Sequence, residues 1–168
     1  MESKAKLFGH PIHQMLIVFP LGVLAMAVLF DVIAFVRGSA SLHYAAWTMI
    51  AAGVISGLVA AVFGLIDYLA IPAGTRAKRV GALHGSGNVV VVLLFAVSWF
   101  LRRPDAAHPS TFAVILAVVA AGISIVTAWL GGELVDRLGV GVDDGANLDA
   151  PSSLHGPVSR VTVTNRRT

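Results

Sequence analysis

The residues best suited to chemistry in this sequence are a few histidines, carboxylates and an asparagine at the ends of long apolar segments. His10 and His13 are three residues apart, about one turn of a helix. Imidazole nitrogens bind Zn, Fe and Cu, and two facing imidazoles also suit the iron of a b-type haem. A His-x-x-His pair alone is a weak metal signal, and two histidines that only cap a helix end are the alternative interpretation.

His84 and Asn88 lie four residues apart, so they share one face of a helix. Both side chains need hydrogen-bond partners within an otherwise apolar segment. A neighbouring helix provides such partners as readily as a bound cofactor does. The pair therefore supports either a cofactor site or a hydrogen bond between helices.

Asp67 and Glu133 close two other apolar segments. A carboxylate in a membrane needs a partner, and a metal ion is one such partner, so both are candidate metal ligands. An ion pair with Arg76, Lys78 or Arg79 is the alternative for Asp67, and Glu133 can equally be a solvated acid. The full candidate sets are His10, His13, Asp67, His84 and Glu133 for a metal and His13, His84 and Asn88 for a cofactor.

The composition places these residues in a membrane protein. Of 168 residues, 57% are hydrophobic and 12% are charged, and the mean hydropathy is +0.83, whereas soluble domains are about half apolar and about a quarter charged. The chain has no cysteine, which excludes disulfides, thiolate metal sites and Cys-attached haem. The basic residues flank apolar segments and form no run, so we expect no nucleic-acid partner.

Four apolar segments are each long enough to cross a bilayer as a helix. We predict an all-α, integral membrane four-helix bundle in residues 1–140 and an irregular tail in 141–168, where 158–163 can form a short strand. Pro20 predicts a kink in the first span. Small residues at short spacings favour close helix contact in the second and fourth spans. The spans are residues 15–36, 44–69, 81–101 and 110–135; the small residues are Gly53, Gly57, Ala60, Ala61 and Gly64, then Ala120, Ser124, Ala128 and Gly132.

The basic residues predict the orientation of the bundle, since basic loops stay cytoplasmic. The side that holds the N-terminus carries nine Lys and Arg residues and the other side carries three, so we expect both termini to be cytoplasmic. This topology brings His13, Asp67, His84 and Glu133 to a similar depth on the cytoplasmic side. The nine are Lys4, Lys6, Arg76, Lys78, Arg79, Arg137, Arg160, Arg166 and Arg167, and the three are Arg37, Arg102 and Arg103.

Asp31 is the ionisable residue of the first span on the opposite side. It follows His13 by eighteen residues, about five turns, so both lie on the same helix face. We expect it to have an ion-pair partner, with an outer proton port as the alternative. The candidate partners are Arg37, His43, Arg102 and Arg103, and nothing around His108 or His155 raises either above a surface residue.

A series of motifs runs through about residues 8–142: GHPIHQML at 9–16, FPLG at 19–22, GLIDY at 64–68, IP at 71–72, His84 with Asn88, GGELV at 131–135 and GVGV at 139–142. In this order they resemble a bacterial membrane family called domain of unknown function 2231. The resemblance implies a small four-span protein of the bacterial inner membrane. The residues it marks as characteristic are His10, His13, Asp67, His84, Asn88 and Glu133.

This resemblance supplies no activity. Members of the family are sometimes joined to Rieske-type or cytochrome-type domains, which implies membrane electron transfer or haem. Two departures remove candidate ligands from this chain. Val18 stands where relatives often have a histidine, and Asp136-Arg137-Leu138 replaces a Tyr-Arg-His-like stretch.

We therefore expect a membrane module that binds haem b or a divalent metal ion and passes electrons to a redox protein partner. His13 and His84 are the candidate axial ligands, and Asp67, Asn88 and Glu133 would orient them or take up charge. Transport of a proton or small ion is the first alternative, and it would call for a homo-oligomer with room for a pore. A structural subunit without cofactor is the second. No catalytic motif indicates an enzyme.

Topology reporters test the predicted orientation. A reporter fused after Thr168 or inserted near Ala77 should lie in the cytoplasm, and one near Ser39 or Ala106 should lie outside, because the basic residues favour this direction. Activity of a cytoplasm-specific and an export-specific reporter at each point measures it. An external signal at Ala77 would reverse the orientation and place the histidine and carboxylate residues on the outer side.

Overall fold

The computed structural model describes residues 1–155, which form five α-helices, two very short strands and two short helical turns. The strand predicted at 158–163 lies outside the described residues. The elements are β1 (Lys6–Leu7), β2 (His10–Pro11), α1 (Ile12–Leu16), α2 (Val18–Arg37), α3 (Ala40–Ala70), α4 (Arg76–Leu101), α5 (Thr111–Gly132), a π-helical turn (Glu133–Arg137) and a 3-10 turn (Ser153–His155).

Four helical segments are long and apolar enough to cross a membrane: Ile12–Arg37, Ala40–Ala70, Arg76–Leu101 and Thr111–Arg137. They contain 26 to 31 residues each, and about 20 suffice for the apolar core of a bilayer. The predicted all-α, four-span membrane fold is therefore confirmed.

The first span is divided at Ile17, between α1 and α2. Pro20 explains the position, because proline has no N–H and cannot donate to the carbonyl of Leu16 four residues earlier. Backbone hydrogen bonds of 3.1 Å from Ile17 to His13 and from Leu21 to Ile17 carry the helix across the division. His13 thus lies on a short helix of its own at the end of the span.

Local sequence signals end and begin the remaining helices. Gly38 closes α2 with a φ of 64°, a left-handed conformation that glycine adopts without strain. The hydroxyl of Thr75 accepts a hydrogen bond from the backbone of Lys78 at the start of α4, and Ser110 does the same for Ala113 in α5. These caps satisfy backbone donors that have no partner inside the helix.

The helices pack as two hairpins, α2 with α3 and α4 with α5, which meet mainly through α3 and α4. Small side chains let the backbones approach each other, and a few larger ones fill the space between them. The buried core consists of Leu24, Ala27, Ala46, Ile50, Val91, Phe95, Ala117 and Ala120.

Of the small residues predicted in the second span, Gly53, Gly57 and Gly64 face the first span, whereas Ala61 is exposed. A Cβ atom on Gly53 would overlap the side chain of Leu24, and one on Gly57 would lie 3.6 Å from Pro20. In α5 the buried row differs from the predicted one, since Ala128 is exposed and Thr127 is buried. A helix repeats every 3.6 residues, so a spacing of four drifts off the buried face after two or three steps.

Apolar side chains also cover the outside of the bundle. Phe35, Leu69, Val89 and Ile125 are among many that are more than half exposed in the isolated chain. A surface of this kind is unfavourable in water and matches the hydrocarbon of a bilayer. The four spans therefore present their exterior to lipid.

The two ends of the bundle carry different polar groups. We call the end where α3 finishes and α4 begins the histidine end, and the opposite end, where α2 finishes and α3 begins, the arginine end. At the arginine end Asp31 and Arg102 are both fully buried. Arg102 Nη1 donates to Asp31 Oδ1 at 2.9 Å, and Nη2 lies 2.8 Å from Oδ2, an ion-pair contact without the angles of a directed hydrogen bond.

Neighbouring groups complete this ion pair. Arg102 also donates to Ser98 Oγ at 3.3 Å and to the carbonyl of Ala113 at 3.4 Å, and His43 Nδ1 lies 2.9 Å from Asp31 Oδ1. Of the partners predicted for Asp31, the structure thus selects Arg102 and His43. The sequence placed Arg102 in a loop, whereas its side chain turns back into the bundle.

Single replacements in this pair should destabilise the protein. Asp31→Leu or Arg102→Leu leaves one buried charge without its partner, so we expect each to lower the free energy of unfolding by about 3–5 kcal/mol. The double variant should lose less than either single variant, because no buried charge remains. Unfolding in mixed detergent and SDS micelles measures the effect. Arg103→Leu, at an exposed neighbour, is the control; equal losses in all four variants would contradict the role of the pair.

Candidate functional site

His13 lies on α1 and points at the backbone of α3. Its Nδ1 is 2.9 Å from the carbonyl oxygen of Ala60. Gly64, one turn further along α3, leaves the space for the ring, because a Cβ atom there would lie 2.8 Å from Cε1 of His13. The glycine in the GLIDY motif is therefore needed for the close approach of an imidazole.

His84 repeats this arrangement between α4 and α5. Its Nδ1 is 2.8 Å from the carbonyl oxygen of Thr127. A Cβ atom on Gly131 would lie 3.1 Å from Cε1 of the ring, so this glycine again makes room for the imidazole. Each histidine thus bonds to a backbone carbonyl of an adjacent span, four residues before a glycine.

Asn88 connects the same two helices. Its Nδ2 donates to the carbonyl of His84 at 3.0 Å and lies 3.2 Å from His84 Nε2. Its Oδ1 accepts a hydrogen bond of 3.0 Å from the hydroxyl of Thr127. Thr127 is buried and was not singled out in the sequence, although a threonine within an apolar helix is the kind of residue that bonds to a neighbouring span.

The two imidazoles come together at the histidine end. The ring centroids of His13 and His84 are 6.4 Å apart, and the ring planes are nearly perpendicular, at 88°. The two side chains are therefore close neighbours across the bundle. Helices α1 and α4 start at the same end of the bundle, which places the two side chains at one depth.

The hydrogen bonds determine which nitrogen of each ring carries a proton. A carbonyl oxygen only accepts, so Nδ1 of His13 and Nδ1 of His84 must both be donors. In the neutral rings Nε2 then carries the lone pair. That is the tautomer in which a histidine binds a metal through Nε2 while its other nitrogen is held by a carbonyl.

Asp67 is held by the N-terminal segment. Ser3 Oγ lies 2.8 Å from both carboxylate oxygens, and the backbone N–H of Lys4 donates to Oδ1 at 2.7 Å. These bonds replace the ion pair with Arg76, Lys78 or Arg79 that the sequence had offered as an alternative. Lys78 instead lies over the ring of Tyr68 at 4.0 Å.

The N-terminal segment also forms an ion pair and a hydrogen bond with residues that follow α5. Lys6 forms ion pairs with Glu2 and Asp143. The hydrogen bond that Lys6 donates to Asp143, and then the one that it donates to Glu2, raises the pKa of Lys6 above its ordinary value. Gly141, with a φ of 82°, donates its backbone N–H to the carbonyl of Met1 at 2.9 Å. The N-terminal segment therefore covers Asp67 at the histidine end.

The other two candidate ligands have partners of their own. Glu133 accepts a hydrogen bond of 2.7 Å from Arg76. His10 is near the tail, with Nε2 3.3 Å from Ser153 Oγ. Among residues 1–155, no three His, Asp or Glu side chains are arranged to hold a metal ion together. Of the predicted site residues, the structure brings together His13, His84 and Asn88, and it gives Asp67, Glu133 and His10 separate contacts.

Fold and site define a four-span membrane protein with a pair of backbone-anchored histidines at one end of the bundle. The chain belongs to the family described as predicted membrane protein (DUF2231), which matches residues 9–144. The match includes both histidines, Asp67, Asn88 and Glu133, and it confirms the resemblance found in the sequence. No curated protein and no solved structure matches the chain.

The tautomers of the two histidines can be measured directly. We expect ¹⁵N NMR of histidine-labelled protein in detergent, at a pH where the rings are neutral, to show Nδ1–H for His13 and His84, because each Nδ1 faces a carbonyl. Single replacements of His10, His43, His108 and His155 by Gln serve to assign the remaining four signals. An Nε2–H signal from either His13 or His84 would contradict the geometry.

Proposed function

We propose that this protein binds a transition metal, as haem iron or as a divalent ion, between His13 and His84, and that it transfers electrons at the cytoplasmic face of the membrane. The observation that supports the proposal is the pair of imidazoles with both Nδ1 atoms bonded to backbone carbonyls. Each ring is held in position before any ligand arrives, and each keeps Nε2 as its metal-binding atom.

The donor set favours haem iron over a closed ion site. His13 and His84, on different helices, would each offer one imidazole nitrogen to the iron, and a haem would bring its own porphyrin nitrogens. A divalent ion on the same two nitrogens would need water or a further side chain to complete its coordination.

Asn88 has a defined part in this proposal. Its amide lies against Nε2 of His84, the atom that would bind the metal. Ligand binding would displace this one contact and leave the bonds of Asn88 to the His84 carbonyl and to Thr127 in place. Asn88 would therefore hold the ring of His84 in its orientation until a metal binds to Nε2.

The electron-transfer role rests on the family resemblance, and the cytoplasmic side rests on the distribution of basic residues. Proton transport is the competing function. It would need polar relays through the bundle, but the core between the arginine end and the histidine end is apolar, with Leu24, Ile50, Val91 and Phe95 at its centre. This apolar layer favours a site at one end over a path through the membrane.

Substitution of the histidines tests cofactor binding. We expect His13→Ala and His84→Ala each to lower bound haem or metal at least about tenfold, because each removes one of two ligands, a loss of about 1.4 kcal/mol or more in binding. Both variants should remain folded in the membrane, since apolar packing and lipid determine the fold. His10→Ala, one turn from His13 but bonded to the tail, is the matched control and should bind like the parent.

The measurement is absorbance in the Soret region together with metal analysis of protein purified in detergent, after expression with haem precursor and metals supplied. Loss of haem or metal in both histidine variants, with retention in the control, supports the proposal. A parent protein that carries neither would rule it out and leave proton transfer or a scaffold role.

A further inference from the structure

A second pair of histidines lines a cavity at the arginine end, far from the pair described above. The cavity has a volume of about 260 Å³ and lies between the end of α2, the start of α3 and the loop from α4 to α5. His43 and His108 are on its wall, together with Ala34, Gly38 and Pro109. Neither histidine is used by the function proposed for the histidine end.

His43 is backed by a buried carboxylate. Its Nδ1 is 2.9 Å from Asp31 Oδ1, and since an ionised carboxylate only accepts, Nδ1 must be the donor. Arg102 fixes Asp31 from the other side. In the part of the chain that the structure describes, Nε2 of His43 has no hydrogen-bond partner, and it is not among the buried unpaired atoms. Nε2 therefore keeps its lone pair and is accessible, on a side chain that lines the cavity.

His108 has the same arrangement in the loop. Its Nδ1 is 3.0 Å from Asp105 Oδ2, and Asp105 Oδ1 accepts the backbone N–H groups of Ala107 and His108 at 3.1 Å each. The hydrogen bond from His108 is the main cause that lowers the pKa of Asp105 below its ordinary value. The carboxylate thus holds both the loop and the ring.

We propose that His43 and His108 bind a divalent transition-metal ion, Cu²⁺ or Zn²⁺, through their Nε2 atoms in this cavity. A histidine whose Nδ1–H is bonded to a carboxylate is a common metal ligand, because the carboxylate orients the ring and raises the basicity of Nε2. Imidazole is a preferred donor for both ions. Water molecules would complete the coordination of the ion. An ion held in this way can exchange with solution, unlike one in a structural site whose ligands all come from the protein.

A carboxylate lies behind each of the two rings, and Arg37 and Arg103 are exposed at the same end of the bundle. Asp31 and Arg102 neutralise each other, and Asp105 adds a negative charge beside His108. His108 is largely exposed, with 73% of its side chain accessible, so its ring can adjust to an ion held by the more rigid His43. In the orientation predicted from the basic residues, the site faces the outside of the cell.

The experiment uses the full-length His13→Ala/His84→Ala variant, so that metal at the histidine end does not contribute. We expect Cu²⁺ to bind with one ion per chain and to give an electron paramagnetic resonance spectrum with nitrogen coupling. Zn²⁺ should displace it. His108→Ala should weaken binding at least about tenfold, and Asp105→Asn, which keeps the imidazole but removes the charge behind it, should weaken binding by about 10- to 100-fold.

His155→Ala is the control, since it removes a histidine from the described tail without touching the cavity. Affinity that is unchanged in His108→Ala, or lowered equally in His155→Ala, would overturn the proposal.

His108 lies in an exposed loop, so its replacement leaves the bundle intact. If the double-alanine parent does not purify, the same comparison on the otherwise unchanged chain decides the matter by whether His108→Ala loses one equivalent of Cu²⁺. Failure here would leave the proposal for His13 and His84 untouched.

Discussion

Within a bilayer a polar side chain has no water to bond with, so it must find its partner within the protein. This constraint explains the polar contacts that join the four spans. His13 bonds to the backbone of α3, His84 bonds to the backbone of α5, and Asp31 pairs with Arg102 from another span. Each contact joins two different spans, and each would leave a costly unpaired group if its partner were removed.

Glycine and alanine make these contacts geometrically feasible. Gly64 and Gly131 leave room for the rings of His13 and His84, and Gly53 lets α3 approach Leu24 of α2. In lipid there is little hydrophobic gain from bringing apolar helices together, so close packing and hydrogen bonds from side chains of one helix to another must do it. The small residues and the histidines therefore form one arrangement: a glycine in one helix admits the imidazole of another.

The two ends of the bundle use histidine differently. At the histidine end, Nδ1 of each ring bonds to a neutral carbonyl, and the pair lies between apolar helices. At the arginine end, Nδ1 of each ring bonds to a carboxylate, beside a buried ion pair and an open cavity. A neutral setting suits a cofactor that brings its own ligands and charge, whereas carboxylate-backed imidazoles suit a cation taken from solution. An apolar core separates the two ends.

The sequence by itself determined the number of spans, the membrane environment and the family, because hydropathy and ordered motifs depend only on local composition and spacing. It also placed His13 and His84 at one depth, since the direction of alternate spans follows from their number. The tertiary structure decided which polar groups meet. Asp67 bonds to Ser3 and Lys4, and Glu133 bonds to Arg76. The sequence could not predict these partners, because the direction of a side chain depends on how its helix is rotated about the helix axis, and hydropathy does not specify that rotation. For the same reason only the packed helices showed that Arg102 is buried and that Thr127 holds Asn88.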